Sequence, residues 1–331
     1  MTRFRPFRNG DPPALAELWK RGLPVRGVAR RLGVHDFDSL IVGKLHFEAA
    51  GLIVAECDGR IVGFAHAGFG PEQPEGPSHR LSYELGTVGM LVVAPDQDDP
   101  ELEHGLLVEA ERYLLARGAS VIYAGGQYPL NPFYWGLYGG SEWAGILSSH
   151  SIFHRAVQRA GYEPVATTAL LEADLTRPEV RDPMAPVIRR RARTEIFDDA
   201  DYDCWWDSLA LGLFHTTAFR LVERSTDCEV AWARTWDMSA ACHGEGRGST
   251  GLITVEVEPA YRHQGLGRHL IGEIIRHCRE QMGTILSVQT SSTNTPALAL
   301  YKSLGFVTVD TSSLYRLPAR QGTRPAGERC L

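Results

Sequence analysis

The alternation of apolar and polar positions divides the chain into two runs of one plan. "GLIVAECDGRIVGFAHAGF" alternates around Asp58-Gly59, a dipeptide suited to a two-residue turn, and predicts a hairpin. Two apolar strands ending in proline follow, "VGMLVVAP" in one run and "LITVEVEP" in the other. Each leads into an amphipathic segment of helical period, "ELEHGLLVEAERYLLARG" and "GLGRHLIGEIIRHCREQMG". A further strand comes next, "SVIYAG" or "TILSVQT". Both runs close on a helix, a glycine, an aromatic and a strand, "FHRAVQRAGYEPV" and "ALALYKSLGFVTV", with glycine where a left-handed helix cap belongs.

Those two glycines stand 305 − 161 = 144 positions apart, a domain-sized period. The beginnings also correspond. "FRPFRNGDPPALAELWKRGL" predicts a short strand, a turn and a helix with Leu15, Leu18 and Trp19 on one face. From Val187, "VIRRRARTEIFDDADYDCWWDSLAL" predicts the same order, with Arg189, Arg190, Arg191 and Arg193 on a solvated first strand and Trp205, Trp206 and Leu209 on the helix. "EVAWARTWDMSAACHG" is the less regular counterpart of the hairpin. The prolines of "LTRPEVRDPMAP" continue neither regular element and mark a linker. The expected organisation is α/β (α+β): similar domains at 1–176 and 187–318, a linker at 177–186 and a tail at 319–331, each domain a mixed, partly parallel twisted sheet flanked by helices.

Composition narrows the function classes. The 331 residues are 44% hydrophobic and 22% charged with a net charge of -6, which argues for a globular protein and against a nucleic-acid binder. Cys57, Cys204, Cys228, Cys242, Cys278 and Cys330 form no C-x-x-C pair, so reduced structural thiols and a cytoplasmic location are expected, with no metal. Neither a signal peptide nor a run long enough to cross a bilayer is present, so no membrane partner is expected.

The chemistry concentrates in "PAYRHQGLGRHL", where a strand hands over to a helix. The first amides of a helix lack partners, and the dipole adds positive charge there. Gly265 and Gly267 let an anion approach those amides; Arg262 and Arg268 add cations, and His263 and Gln264 add donors. The loop lacks the lysine and hydroxyl of a P-loop, and the third glycine of a dinucleotide fingerprint falls on Leu270. A phosphate site remains.

With "VEVEP" before it and "NTPALALYKSLGF" after it, this stretch resembles the GNAT superfamily of acyl-CoA-dependent N-acetyltransferases, whose R/Q-x-x-G-x-G/A signature is matched by Arg262, Gly265 and Gly267. The resemblance covers about Gly251 to Phe306, and more loosely both halves as tandem GNAT-like domains, an arrangement similar to that of mycothiol synthases. It implies acetyl-CoA as cosubstrate, its pyrophosphate on Arg262, His263, Gln264, Gly265, Leu266, Gly267 and Arg268, and its pantetheine arm along Val255, Glu256 and Val257. It further implies direct transfer of the acyl group to a primary amine of a small molecule or peptide, by a monomer or homodimer. Tyr301 matches the acid position that protonates the leaving thiolate, and Asn294 a cofactor contact. Asn294 is also a good helix cap before Thr295-Pro296.

The family's base positions fall on Gly251 and Ile253, neither able to take a proton. By alternation Glu256 and Glu258 point away unless a bulge intervenes, and His243 and Glu245 lie in a loop. A water relay or a neutral acceptor would need no base, and none is assigned. The missing base leaves an acyl-CoA-binding sensor as the second reading.

In the first half the corresponding loop, "APDQDDPELEHGLL", offers Asp96, Asp98, Asp99, Glu101 and Glu103; only Gly105 survives, with Leu107 in place of Gly267. Val157 stands for Tyr301 and His150 for Asn294. Carboxylates there would repel pyrophosphate, so this half is expected not to bind acyl-CoA. Its insertion from Gly125 to Ser151 is either a self-packed interdomain plug or a lid supplying Tyr134, Trp135, Tyr138 and Trp143.

Overall fold

Asp58 and Gly59 both have positive φ, 50° and 78°, the backbone of a primed two-residue turn, and they join β2 (Leu52–Cys57) to β3 (Arg60–Pro71) as the alternation requires. The computed structural model describes residues 2–24, 27–29, 32–97, 99–130, 133–142, 144–202, 204–238 and 248–318. Besides the hairpin, the first half contains β1 (Thr2–Pro6), α1 (Pro12–Gly22), α2 (Val34–Phe37), β4 (Leu81–Val93), α3 (Pro100–Arg117), β5 (Val121–Ala124), β6 (Ile146–Leu147), α4 (Ser151–Arg159) and β7 (Glu163–Asp174). The second half has α5 (Ala185–Arg191), β8 (Ala192–Asp198), α6 (Trp205–Leu211), β9 (Thr216–Glu223), β10 (Glu229–Asp237), β11 (Gly248–Val257), α7 (Leu266–Glu280), β12 (Gly283–Ser291), α8 (Thr295–Ser303) and β13 (Val307–Arg316).

The mixed α/β class agrees with expectation, but the halves do not close separate sheets. One sheet runs β1-β2-β3-β4-β5-β13-β7-β12-β11-β10-β9-β8, with β6 beside β13. Among the described residues the parallel pairs are β4–β5 and β11–β12, one in each half. The final strands are exchanged: β13 lies between β5 and β7 of the first half, and β7 between β13 and β12 of the second.

Helices cover the sheet through the faces that periodicity picks out. Leu15, Leu18 and Trp19 of α1 are buried on one side of the first half, and Leu102, Leu106, Leu107, Ala110 and Leu114 of α3 on the other. In the second half α7 buries Leu266, Leu270, Ile271, Ile274 and Ile275, each worth about 1.5–3 kcal/mol relative to exposure. Two local readings change. Arg189, Arg190 and Arg191 are helical, in α5, because Pro186 opens a helix there and Ile188 anchors it in the core; only Arg193 is on the strand. The second-half hairpin is β9 with β10, and β9 alternates too weakly at its ends to stand out. Among the described residues no helix is long and apolar enough to cross a membrane.

Candidate active site

The site grows from the point where two strands part. β11 and β12 pair in parallel from Gly248 to Leu252 and no further. Beyond that point Gln289, Thr290 and Ser291 of β12 still pair with β7, while β11 stays with β10. Arg234 opposes Thr254 and Thr235 opposes Leu252, so Ile253 is an extra, bulged residue exactly one place beyond the last β11–β12 pair. A wedge opens between the strands. On its β11 side Val255 and Val257 pack toward the core, whereas Glu256 and Glu258 are exposed.

The glycine loop stands at the end of β11. After a single turn at Pro259–Tyr261, His263 and Gly265 take positive φ, 62° and 83°, and Gly265 caps α7. No side chain caps this helix, so the amides of its first turn, from Leu266, Gly267 and Arg268, have no helical acceptor. Gly267 is not there for backbone freedom or for space within the chain. A Cβ on it would meet Val257 Cγ2 at 3.5 Å and Leu300 Cδ2 at 3.7 Å, both ordinary contacts. What its absence leaves open is the approach to those amides.

The polar side chains of the loop are tied down at its edges. Exposed Arg262 folds back so that Nε donates to the Val257 carbonyl at 3.0 Å. His263 is exposed, and Gln264 donates to the Ala260 carbonyl at 3.3 Å while accepting from Arg191 of α5. Arg268 donates to Ser303 Oγ at 2.6 Å and pairs with Asp182 at 3.7 Å. The arginine helix α5 thus braces this loop, with Ile188 Cδ1 3.6 Å from where a Gly265 Cβ would stand. Sequence reading missed that role; the arginines' closeness to Pro186, a helix opener, was the available signal.

Asn294 caps α8, its Oδ1 accepting from the Ala297 amide at 3.2 Å, with Pro296 in the first turn. Two turns on, Tyr301 is 7% exposed and its ring packs on Phe306 at 5.4 Å. Burial and then the negative charge of Glu142 push its phenol up to about 12. Glu142, absent from the sequence-level candidates, comes from the first half. Its half-buried carboxyl is pushed up to about 8 by burial and then by the charge of Asp207. His243 and Glu245 lie outside the described residues.

The insertion that carries Glu142 is a plug. Tyr134, stacked on Trp19, and Tyr138 are fully buried, and Trp135 packs with Trp236 and Met238 of the second half; Trp143 lies outside the described residues. The Ser141 carbonyl accepts from the indoles of Trp135 at 3.0 Å and Trp236 at 2.8 Å. Gln289 Nε2 donates to the carbonyls of Gly139 and Glu142. Three aromatics foreseen for a lid therefore serve as core.

The matching turn of the first half is built differently. Asp99 caps α3, its carboxylate accepting from the Glu101 amide at 3.0 Å. Gly105, expected in the loop, lies inside the helix, where a Cβ would come within 2.3 Å of the Phe4 ring. Buried Glu103 is held by Arg155 Nε of α4 at 3.0 Å, and Glu101 pairs with Arg159 at 3.5 Å. Here a side-chain carboxylate takes the anion's place; Asp98 lies outside the described residues.

Known proteins resemble this chain in sequence over part of its length and in fold over nearly all of it. The chain is 31% identical to N-alpha-acetyltransferase 40 of Saccharomyces cerevisiae over 135 residues, 39% of this chain and 44% of that protein. It is 33% identical to mycothiol acetyltransferase of Nocardiopsis dassonvillei over 89 residues, 25% of this chain and 27% of that one. It thus spans less than half the length of these relatives. A solved tandem GNAT protein from the clavulanic acid biosynthesis pathway shares the fold, with a TM-score of 0.66 at 15% identity over 98% of this chain and 100% of that chain. The sequence profile described as Acetyltransferase (GNAT) family matches residues 187–306, the span from α5 through the turn that follows α8.

Proposed function

We propose that the chain is an acetyl-CoA-dependent N-acetyltransferase with one active site, in its second half, acting on a primary amine of a small molecule or peptide. The observation that carries this is the uncapped first turn of α7 behind Gly265 and Gly267, at the mouth of the β11–β12 wedge. The residues present fit the cosubstrate: free amides and the helix dipole suit a diphosphate, and Arg262 stands exposed beside them. The β11 backbone at Val255, Glu256 and Val257, not paired with β12 and engaged there only where Arg262 holds the Val257 carbonyl, offers partners to an amide-bearing arm.

In this reading Tyr301 donates a proton to the leaving sulfur. Its raised pKa keeps it neutral at working pH, and its burial keeps water from competing. Asn294 holds the start of α8, the helix that carries Tyr301. The Asp99 cap of the first half leaves a single cosubstrate site per chain. Calorimetry with acetyl-CoA tests this: one site per chain, with the thermal transition raised. Thiol release over a panel of amines then identifies the acceptor, and no binding of acetyl-CoA would end this reading.

A further inference from the structure

We propose that Glu142, carried over from the first half on the packed insertion, is the catalytic base of the second-half site and takes the proton of the acceptor ammonium beside Tyr301. The assignment rests on the acyl-transfer reading above and deepens it.

Position argues first. Gln289 is the first β12 residue past the last β11–β12 pair, Leu252 with Val288, so it stands at the apex of the wedge. Its side-chain amide holds the carbonyls of Gly139 and Glu142, and Trp236 of β10 holds Ser141. The backbone under Glu142 is thereby fixed to both strands that flank β11. The carboxylate is close enough to the Tyr301 hydroxyl for its charge to act there. A base and an acid within reach of one reacting centre are what amine acylation needs, since one proton must leave the nitrogen and another must reach the sulfur.

Elimination among the described residues argues second. Gly251 and Ile253 cannot titrate, and Gly251 has the Trp236 indole 2.5 Å from where a Cβ would be. Glu256 and Glu258 are exposed. Of the other groups that act on Glu142 or feel its charge, Asp207 of α6 adds negative charge and Tyr301 of α8 is neutral. Asp207 and burial together raise the Glu142 carboxyl to about 8. That narrows the gap to an alkylammonium, near ~10, more than an ordinary carboxylate would.

The step balances. Glu142 takes one proton from the ammonium and later releases it to solvent. The freed nitrogen lone pair forms the C–N bond as the C–S bond breaks, its electron pair going to sulfur. Tyr301 protonates that sulfur and is restored by the second proton lost from nitrogen. The sum is an amide, a free thiol and one proton released.

The test uses the full chain. Wild type, Glu142→Gln and Glu142→Asp are compared by thermal shift with acetyl-CoA and by thiol release with glucosamine, spermidine and alaninamide as acceptors, from about pH 6 to about pH 10. Equal thermal shifts are expected, with the Gln variant losing about 10²-fold or more in kcat near neutrality. Its rate should recover at alkaline pH, where the acceptor arrives neutral; Asp should keep part of the rate and the acid limb. A Gln variant with wild-type rate and pH profile overturns the assignment, as does a loss of the acetyl-CoA shift along with activity in both variants. Should the Gln variant not fold, the Asp variant decides, an unchanged kcat and pH profile counting against Glu142. A wild type that acetyl-CoA stabilises but that releases thiol with none of these acceptors, or that it does not stabilise, overturns the acyl-transfer reading itself.

Discussion

Trp236 of β10 donates its indole N–H to the Ser141 carbonyl across the two halves at 2.8 Å. The ring is also wedged between glycines: a Cβ on Gly136 would lie 2.5 Å from its Cη2, and one on Gly251 equally close to its Nε1. Trp236→Phe keeps most of the packing and removes the donor, while Trp135 still satisfies the carbonyl. Loss of about 0.5–1.5 kcal/mol is expected in urea denaturation. Gly251→Ala should cost more, since the indole has nowhere to retreat. Equal stability of both variants and wild type would show that the indole does not join the halves.

The two loop glycines should separate binding from folding. Gly265 has φ +83°, so Gly265→Ala should lower stability by about 1–2 kcal/mol. Gly267 is helical with room for a methyl, and Gly267→Ala should leave the fold unchanged or slightly more stable. In the proposed site that methyl stands over the amides, and acetyl-CoA affinity measured by calorimetry should fall about tenfold or more. Unchanged affinity in Gly267→Ala would remove the glycine cradle from the mechanism.

Tyr301→Phe keeps the contact with Phe306 and deletes only the hydroxyl. A fall of about 10²-fold in kcat is expected with the acetyl-CoA thermal shift intact. Because the phenol is held up at about 12, it should contribute no alkaline limb to the rate below that pH. A wild-type limb at lower pH that vanishes in the Phe variant would contradict the burial described here.

The second half was legible in sequence because its chemistry is local. Arg262, Gly265 and Gly267 fall within one turn, so their spacing marked a phosphate site; Asn294 and Tyr301, the cap and the third turn of one helix, were brought out by the resemblance to the GNAT superfamily. Glu142 was not legible. It lies in the aromatic insertion with no motif around it, and Gln289 and Trp236, far along the chain, bring its backbone to the wedge. The insertion's aromatics could be read as lid or plug because composition does not reveal which face is covered. The exchange of β7 and β13 was hidden for a related reason: both strands have the pattern their own half demands, and pairing partners are a tertiary matter.

Two buried histidines set an acid limit on the fold. His66 Nδ1 meets the Tyr134 hydroxyl at 2.8 Å and His150 Nδ1 the Tyr138 hydroxyl at 3.0 Å. Burial pushes both down to about 3, against about 6.5 when unfolded. A depressed histidine supplies its stability above the unfolded pKa and loses it as pH falls toward the folded one. Urea midpoints should therefore drop steadily from about pH 6.5 to about pH 3. His66→Phe, which fits the neighbouring aromatic rings, should flatten part of that slope. A slope identical to wild type would show that His66 titrates normally.

The exchanged strands make the halves interdependent. β7 pairs with β12 from Ile285–Asp174 to Ser291–Thr168 and with β13 along its other edge. A fragment of residues 187–318 would lose β7, uncover the apolar edge of β12 and leave β13 without its neighbours, an unpaired edge of the kind that aggregates. Expressed alone, it should be insoluble or lack a cooperative transition. Cutting within the exposed 177–181 stretch breaks no strand, so fragments 1–180 and 181–331 produced together should copurify and show the acetyl-CoA thermal shift of the intact chain. Cooperative unfolding of 187–318 alone, with full acetyl-CoA stabilisation, would mean that the second half can close its own sheet, and the interdependence of the halves would fall.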